Sequence, residues 1–382
     1  MCLARAIRTV LFASMSAPGA ATATATPDLS VNQLNGVNIS IFSSSNGVSA
    51  STAVPSRARA ATPQGRNVVL PDFAQLHVMT QNVYDGIEYS HLLMPDLTVL
   101  SDITATNPAS RAALHAHLIA LEQPDLLAIQ EAVLVERNNV PQVDMLQNLL
   151  DELDKLHKRY EVIVKVKGLD TGSGNAVRVS LWDAILVRSD IDRVVTQTKW
   201  GVYKKSLNLI SSRAFAPDES QSFPNLNFRR NWMFVDIQLR GHTFRFVTTH
   251  LDLPDTGRQQ SCELLQVAGN TRLPVIVAGD FNERYAQHKC LAAADYRDAW
   301  MADDGATWCQ GENAWCANVA TPPERIDLIL LHGAVSAISV HSVGTEPAPC
   351  SECVHWASDH AGVAAGLIFD SNMRRRVSLP SQ

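Results

Sequence analysis

From Leu76 onward, short apolar runs alternate with longer amphipathic stretches. Leu76 to Gln81 reads as a strand leading into Asn82, after which Tyr84 to Asn107 is long and irregular. Pro108 stands at a first helical position behind Asn107 as N-cap, and Leu114, Leu118 and Leu121 mark one apolar face before Pro124 halts the helix. Leu126 to Ile129 is short and wholly apolar, which predicts a strand buried on both faces with Glu131 emerging at its carboxyl end. Leu146, Leu149, Leu150, Leu153 and Leu156 recur at helical spacing. Glu161 to Val166 and Val179 to Val187 predict strands. Trp232 to Leu239, a turn at Gly241-His242 and Phe244 to Thr249 predict a hairpin that delivers His250 at its end. A helical pattern covers Arg258 to Val267, and Val275 to Ala278 is a buried strand ending in Gly279-Asp280. Ile326 to Leu331 and Val363 to Phe369 complete the strands. Many strands, few helices and polar residues gathered at strand ends point to an α/β sandwich of packed sheets covered by helices.

The first 70 residues have another character. Residues 19 to 30 read GAATATATPDLS, and Ser43 to Arg66 is dominated by Ser, Ala, Thr and Pro, with little apolar content to bury. Residues 1–70 are therefore read as a leader and a disordered spacer, 71–370 as one catalytic domain, and 371–382 as a short basic tail. Arg5 and Arg8 precede a short apolar run from Val10 to Met15, which has the outline of a weak signal peptide. The expectation is secretion if this leader is cleaved and a cytoplasmic location otherwise. No run approaches the ~20 apolar residues of a membrane span, so no stable membrane insertion is expected.

The 382 residues are 46% hydrophobic and 18% charged, ample for a large core. A formal net charge of -6 and a pI near 6.0 leave no global basic field to hold nucleic acid non-specifically, which weighs against a tight-binding DNA architectural role but not against a transient nuclease. Of seven cysteines, Cys2 would leave with the leader; Cys262, Cys290, Cys309, Cys316, Cys350 and Cys353 remain, an even set compatible with disulfides whose pairing the sequence does not choose. Cys350 and Cys353 have the spacing of a zinc half-site, but no second such pair stands at finger-like spacing.

Six polar islands carry the candidate chemistry: TQN ending at Asn82, Gln130-Glu131, THLD around His250, GDFN at Asp280 to Asn282, RIDL around Asp327, and SDH at Asp359-His360. They supply carboxylates, amides and imidazoles but no obvious nucleophile, a selection suited to a hard-metal hydrolase of phosphate esters. Each island also has a bland reading. GDFN is equally a turn after a buried strand, and Ser358 and His360 are equally a cap and a core histidine. Asp327 interrupts an apolar strand and must have a partner, Arg325 or a histidine, because burying it alone costs several kcal/mol.

In order and local context the islands resemble the endonuclease/exonuclease/phosphatase superfamily. MTQNVYDG, PDLLAIQEA, FVTTHLDL, VAGDFNER, ERIDLIL and SDHAGV carry the resemblance over about residues 75 to 369. It implies a deoxyribonuclease I-like fold: α/β, a four-layer sandwich of two packed, mainly antiparallel sheets flanked by helices. It also implies that Glu131 and Asn82 hold a divalent ion, Mg2+ with Mn2+ as the alternative, and that Asp359 is a further ligand or a carboxylate behind the ligands. By the same resemblance Asp280 orients or deprotonates the attacking water with help from Asn282. His360, held by Asp327, contacts the scissile phosphate, and His250 donates to it from the opposite side. The physical logic agrees, since an anionic diester needs positive charge at its non-bridging oxygens and a base aimed in line with the leaving group.

Two stretches depart from the pattern. The interval between Asn82 and Glu131 is long and holds His91, Pro95 and Asp102, read as a segment of substrate wall. Arg213 to Arg230 reads as a loop in which Phe215, Phe223 and Phe228 precede Arg229 and Arg230, a pairing that suits a phosphate flanked by a base. Lys199, Lys204 and Lys205 are more simply a solvated face. The leading expectation is a monomeric phosphodiesterase of nuclease type that binds nucleic acid transiently. A phosphomonoesterase or phospholipid head-group hydrolase is the second reading and a non-catalytic binding protein the third. Against a sphingomyelinase stands the aromatic content of only 6%.

Overall fold

A computed structural model of the chain describes residues 75–87, 91–92, 97–171, 177–206, 227–300, 306–308, 324–346 and 356–370. The expectations for 1–70, Pro95, Phe215, Phe223, the four cysteines from Cys309 to Cys353 and the tail at 371–382 lie outside the described residues.

The elements run β1 (Gln75–Asn82), α1 (Leu97–Ala105), α2 (Pro108–Glu122), β2 (Leu126–Arg137), β3 (Val140–Asp144), α3 (Met145–Lys155), β4 (Tyr160–Asp170), β5 (Val177–Arg188) and β6 (Arg193–Val202). They continue with β7 (Asn227–Phe228), β8 (Asn231–Leu239), β9 (His242–His250), α4 (Thr256–Ala268), β10 (Val275–Asp280), α5 (Lys289–Ala293), β11 (Arg297–Asp298), β12 (Asp327–His332), β13 (Val335–Val343) and β14 (Gly362–Phe369). One sheet has eight strands in the order β13-β14-β1-β2-β5-β4-β7, with β3 joined to β2, and the other has six in the order β11-β12-β10-β9-β8-β6. Each contains one parallel pair, β1 with β2 and β10 with β9, while the other pairings are antiparallel.

Period-two burial sorts the side chains into layers. Leu126 and Ala128 join Met233, Val235, Phe244, Phe246, Ile276 and Ala278 in the core between the sheets. Leu127 and Ile129, pointing the other way, pack with Val99, Ile103, Ala112, Ile119 and Leu149 of the helices. Phe234, Val247, Val275 and Val277 meet Leu264 and Ala268 of α4 on the far face. Helices, sheet, sheet and helices are thus the four layers expected.

Several local expectations are corrected. Helix α2 does not bury Leu114, Leu118 and Leu121 as one stripe; its buried face carries Arg111, Ala112, His115, Ala116 and Ile119, and Leu121 is 78% exposed. Small Ala112 and Ala116 let the helix lie close to the sheet, so side-chain size at the contact outweighs leucine spacing. Glu131 does not end its strand: β2 continues to Arg137, and Glu131 lies inside it where the register with β5 slips between Ile129 and Ala132. Its φ of 61° marks a bulge that turns this one side chain out of the alternation. The hairpin turn falls on Arg240-Gly241, with φ of 50° and 76°, one residue earlier than expected, because Leu239 pairs with His242. The stretch read as substrate wall contains α1, whose Val99 and Ile103 are fully buried.

Gly279 is not a turn residue either. It lies within β10, where a Cβ would stand 2.1 Å from the Thr249 carbonyl oxygen, so only glycine lets β10 approach β9 this closely.

Candidate active site

Register explains why distant islands converge. Along β10, Asp280 is level with His250 on the parallel strand β9 and with Asp327 on the antiparallel strand β12. On the facing sheet Asn82 is level with Gln130. Gln130 ties the sheets together, accepting from Thr80 Oγ1 at 3.1 Å and donating to Thr248 Oγ1 at 3.1 Å. Ser358 Oγ donates to Asn82 O at 2.8 Å and accepts from the His360 amide at 3.1 Å, which pins the segment before β14 over the end of β1. The serine is therefore a brace between two islands, not a helix cap.

Asp280 sits between the two imidazoles. Its Oδ2 is 3.3 Å from His250 Nε2, 3.9 Å from His360 Nε2 and accepts from Asn82 Nδ2 at 3.1 Å. Its Oδ1 accepts the Asn282 amide at 2.8 Å, and Asn282, at φ 53°, commits one side-chain hydrogen to Leu251 O at 2.8 Å. The partner that Asp327 requires is His360, whose Nδ1 donates to its Oδ2 at 2.9 Å; Arg325 pairs instead with Asp298 at 2.7 Å. Burial opposes charge on His360, but Asp327 and Asp280 outweigh it and raise the imidazole well above its usual range. Burial also lifts Asp327, so the two groups compete for protons, and the ion pair favours the one on His360.

His250 is the opposite case. Arg230 Nη1 lies 2.8 Å from His250 Nδ1, and a guanidinium has no acceptor, so Nδ1 accepts and the ring proton belongs on Nε2, facing Asp280. Burial first and then Arg230 hold this imidazole well below its usual pKa. One histidine is thereby a cation and the other a neutral donor, both directed at the same carboxylate.

Glu131, Asp85 and Asp359 form an acidic wall beside this centre. Burial, then Asp85 and Asp359, push the Glu131 carboxyl well above the usual range, and burial likewise raises Asp359. Crowding carboxylates this way is unfavourable without a cation, and the donor set is oxygen, as Mg2+ or Mn2+ prefers. Glu131, His250 and Asp280 also offer atoms within 4.8 Å of one another. His250 is a poor metal ligand there, because Arg230 occupies the lone pair of Nδ1 and Nε2 carries the proton. The residues thus fit a hard divalent ion held by oxygen. Asn82 is fully buried, with Oδ1 accepting from the Tyr84 amide at 3.0 Å, so it joins the acidic wall to Asp280.

All eight residues expected at the site are found at this end of the sandwich. Asp85, Asp183 and the contact of Arg230 with His250 add functional groups that the six polar islands do not mark. Asp183 accepts from the Glu131 amide at 3.2 Å and from Asn231 Nδ2 at 2.7 Å, and so fixes the bulge. Its signal was available, since it interrupts the apolar strand SLWDAILV as Asp327 interrupts RIDLILL. Arg229 is exposed, whereas Arg230 is turned into the site and also bonds Asp252 at 3.3 Å. Lys199, Lys204 and Lys205 are exposed, as a solvated face requires. No helix among the described residues is long and apolar enough to cross a membrane.

Comparison with known proteins agrees with this architecture. No curated protein matches the chain in sequence. Among solved structures, an endonuclease/exonuclease/phosphatase family protein from Leptotrichia buccalis is 18% identical, with a TM-score of 0.51, over 77% of this chain and 100% of that one. A Bacteroides vulgatus endonuclease/exonuclease/phosphatase is 17% identical with a TM-score of 0.48, covering 78% of this chain and 99% of that one. D. rerio TDP2, solved with a single strand DNA product, is 18% identical with a TM-score of 0.46, covering 77% and 98%. These likenesses concern the fold. The sequence model of the Endonuclease/Exonuclease/phosphatase family matches residues 79–360, and the chain belongs to that family.

Proposed function

We propose that the protein is a divalent-cation-dependent phosphodiesterase of nuclease type that cleaves by direct attack of water. The observation that carries this reading is Asp280, placed between a charged and a neutral imidazole, with an oxygen-rich acidic wall alongside. Glu131 and Asp359, with Asn82 and the adjacent Asp85, would hold Mg2+ or Mn2+. Such an ion supplies positive charge that offsets the substrate phosphate.

The chain's own residues do the rest. Asp280, oriented by Asn82 and by the Asn282 amide, accepts the proton of the attacking water. His360 presents its charged Nε2 to a non-bridging oxygen while Asp327 holds Nδ1. His250 donates Nε2–H to the same phosphate at no cost in charge, its direction set by Arg230. Arg230 adds a cation at the rim and favours an anionic, extended substrate over a neutral one, consistent with transient binding of nucleic acid.

The test is a panel of single- and double-stranded DNA and RNA, bis(4-nitrophenyl) phosphate and phosphate monoesters, with Mg2+, Mn2+ or EDTA. Strand cleavage and diester turnover that EDTA abolishes are expected. Silence on every diester together with released phosphate from monoesters would overturn the nuclease-type reading in favour of a phosphatase.

A further inference from the structure

Arg111 is 2% exposed on the sheet-facing side of α2, and no step above employs it. Its Nη1 donates to Val83 O at 2.7 Å and to Tyr84 O at 2.8 Å, the two carbonyls that follow Asn82. Nε donates to Thr106 O at 3.2 Å and Nη2 to Thr106 Oγ1 at 3.0 Å. The guanidinium carbon lies 5.0 Å from the centroid of the Tyr84 ring. Thr106 is itself fitted to the loop: a Cβ on Gly86, at φ 72°, would stand 2.8 Å from Thr106 Oγ1.

The segment so gripped is strained and acidic. Tyr84 has φ 62°, a left-handed conformation that is unfavourable for a bulky residue and persists only where the surroundings impose it. Next to it the Asp85 amide donates to Glu131 Oε2 at 3.3 Å, so the shape of this loop sets the approach of the Asp85 backbone to Glu131. The charge of Arg111 acts on Asp359, Asp85 and Glu131, the acidic wall identified above. A buried cation near three carboxylates cannot be a solvated surface charge; it is a fixed component of their field.

We propose that Arg111 is the resident counter-charge of the cation site: it holds residues 83–86 in shape and balances Glu131, Asp85 and Asp359 until a divalent ion binds. This inference rests on the divalent-cation reading of the site. It has a consequence opposite in sign to that of an ordinary packing residue. Removing the positive charge while keeping an amide donor leaves the carboxylates unbalanced, so a divalent ion binds the native site more tightly, and the protein without the ion is less stable.

The test compares the full-length protein with R111Q and R111K. Mn2+ binding is read from the free-ion signal in electron paramagnetic resonance, and thermal unfolding is followed with Mn2+ and with EDTA. We expect R111Q to bind Mn2+ about tenfold more tightly and to gain more in Tm from Mn2+ than the wild type, and R111K, which keeps the charge, to bind as the wild type does. R245M, which breaks a buried pair with Asp236 elsewhere in the sheet, should lower Tm equally with and without Mn2+. R111Q binding no tighter than the wild type overturns the proposal. Should R111Q not fold in EDTA, Mn2+ is expected to restore its fold, and failure to restore it also overturns the proposal. Absence of Mn2+ binding in the wild type would instead overturn the divalent-cation reading itself.

Discussion

Replacing Asp327 with Asn tests the charge assignment at the heart of the site. The change keeps size and removes the carboxylate whose Oδ2 holds His360 Nδ1 at 2.9 Å. Burial alone would press the imidazole below its ordinary value, and Asp327 is the largest opposing influence, ahead of Asp280 at 3.9 Å from Nε2. If His360 falls back to a pKa of about 6.5, only about a tenth of it is charged at pH 7.5, a tenfold loss from charge alone. Loss of the fixed ring orientation adds about 10- to 100-fold, as for other positioned donors. The expected kcat on bis(4-nitrophenyl) phosphate is therefore about 10²- to 10³-fold lower at pH 7.5, with Tm measured alongside to confirm the fold. The pH profile is the sharper signature. Above pH 6.5 the variant should lose activity with rising pH relative to the wild type, whose His360 is held well above its ordinary range by Asp327 and Asp280. A variant within threefold of the wild type, or one with a parallel pH profile, would refute the argument.

Other consequences concern stability. Burial lowers His115 to about 3 and His288 to about 4, so both are neutral in the fold and charge on unfolding below their ordinary value near 6.5. Unfolding free energy should fall by about 1.4 kcal/mol per pH unit for each as pH drops from 6.5 towards those values, and H115L should show a shallower decline in urea titrations. The corrected face of α2 predicts that I119A costs about 2–5 kcal/mol while L121A changes stability by less than about 0.5 kcal/mol, again by urea unfolding. Cys262 and Cys290 are joined across 28 residues, linking α4 to α5. Reduction, or the C262S/C290S pair, should lower stability by about 3–4 kcal/mol, and unchanged unfolding under reducing conditions would contradict that bridge.

How much of this was readable beforehand differs by element. His250, Asp280 and Asp327 were legible because each polar residue follows or begins a buried apolar run, and strand register then makes them neighbours. The partner of Asp327 was narrowed to an arginine or a histidine by the energetics of burial, but the choice of His360 depends on where β14 enters the sheet. The bulge at Glu131 was invisible because it is a backbone event with no residue type of its own; Asp183, which stabilises it, lies 52 positions away. Strand β6 was missed because residues 194–200 are exposed on both faces, which removes the alternation that marks a half-buried strand. Helix α1 was hidden in a segment with no clear periodicity, and it packs through the buried Val99 and Ile103 with Leu100 partly buried beside them. Arg230 was legible as a phosphate-facing cation beside its aromatic neighbours, but its contact with His250, and the hold of Arg111 on the Val83 and Tyr84 carbonyls, depend on tertiary placement with no local signal.

With Asp280 as base and His250 and His360 as phosphate donors, the proposed mechanism has water displace the leaving group in one step. Stereochemistry at phosphorus measures this directly. A chiral phosphorothioate diester hydrolysed in 18O-labelled water should give product with inverted configuration and one solvent oxygen on phosphorus. Retention of configuration would mean two displacements through a covalent enzyme intermediate and would contradict the account.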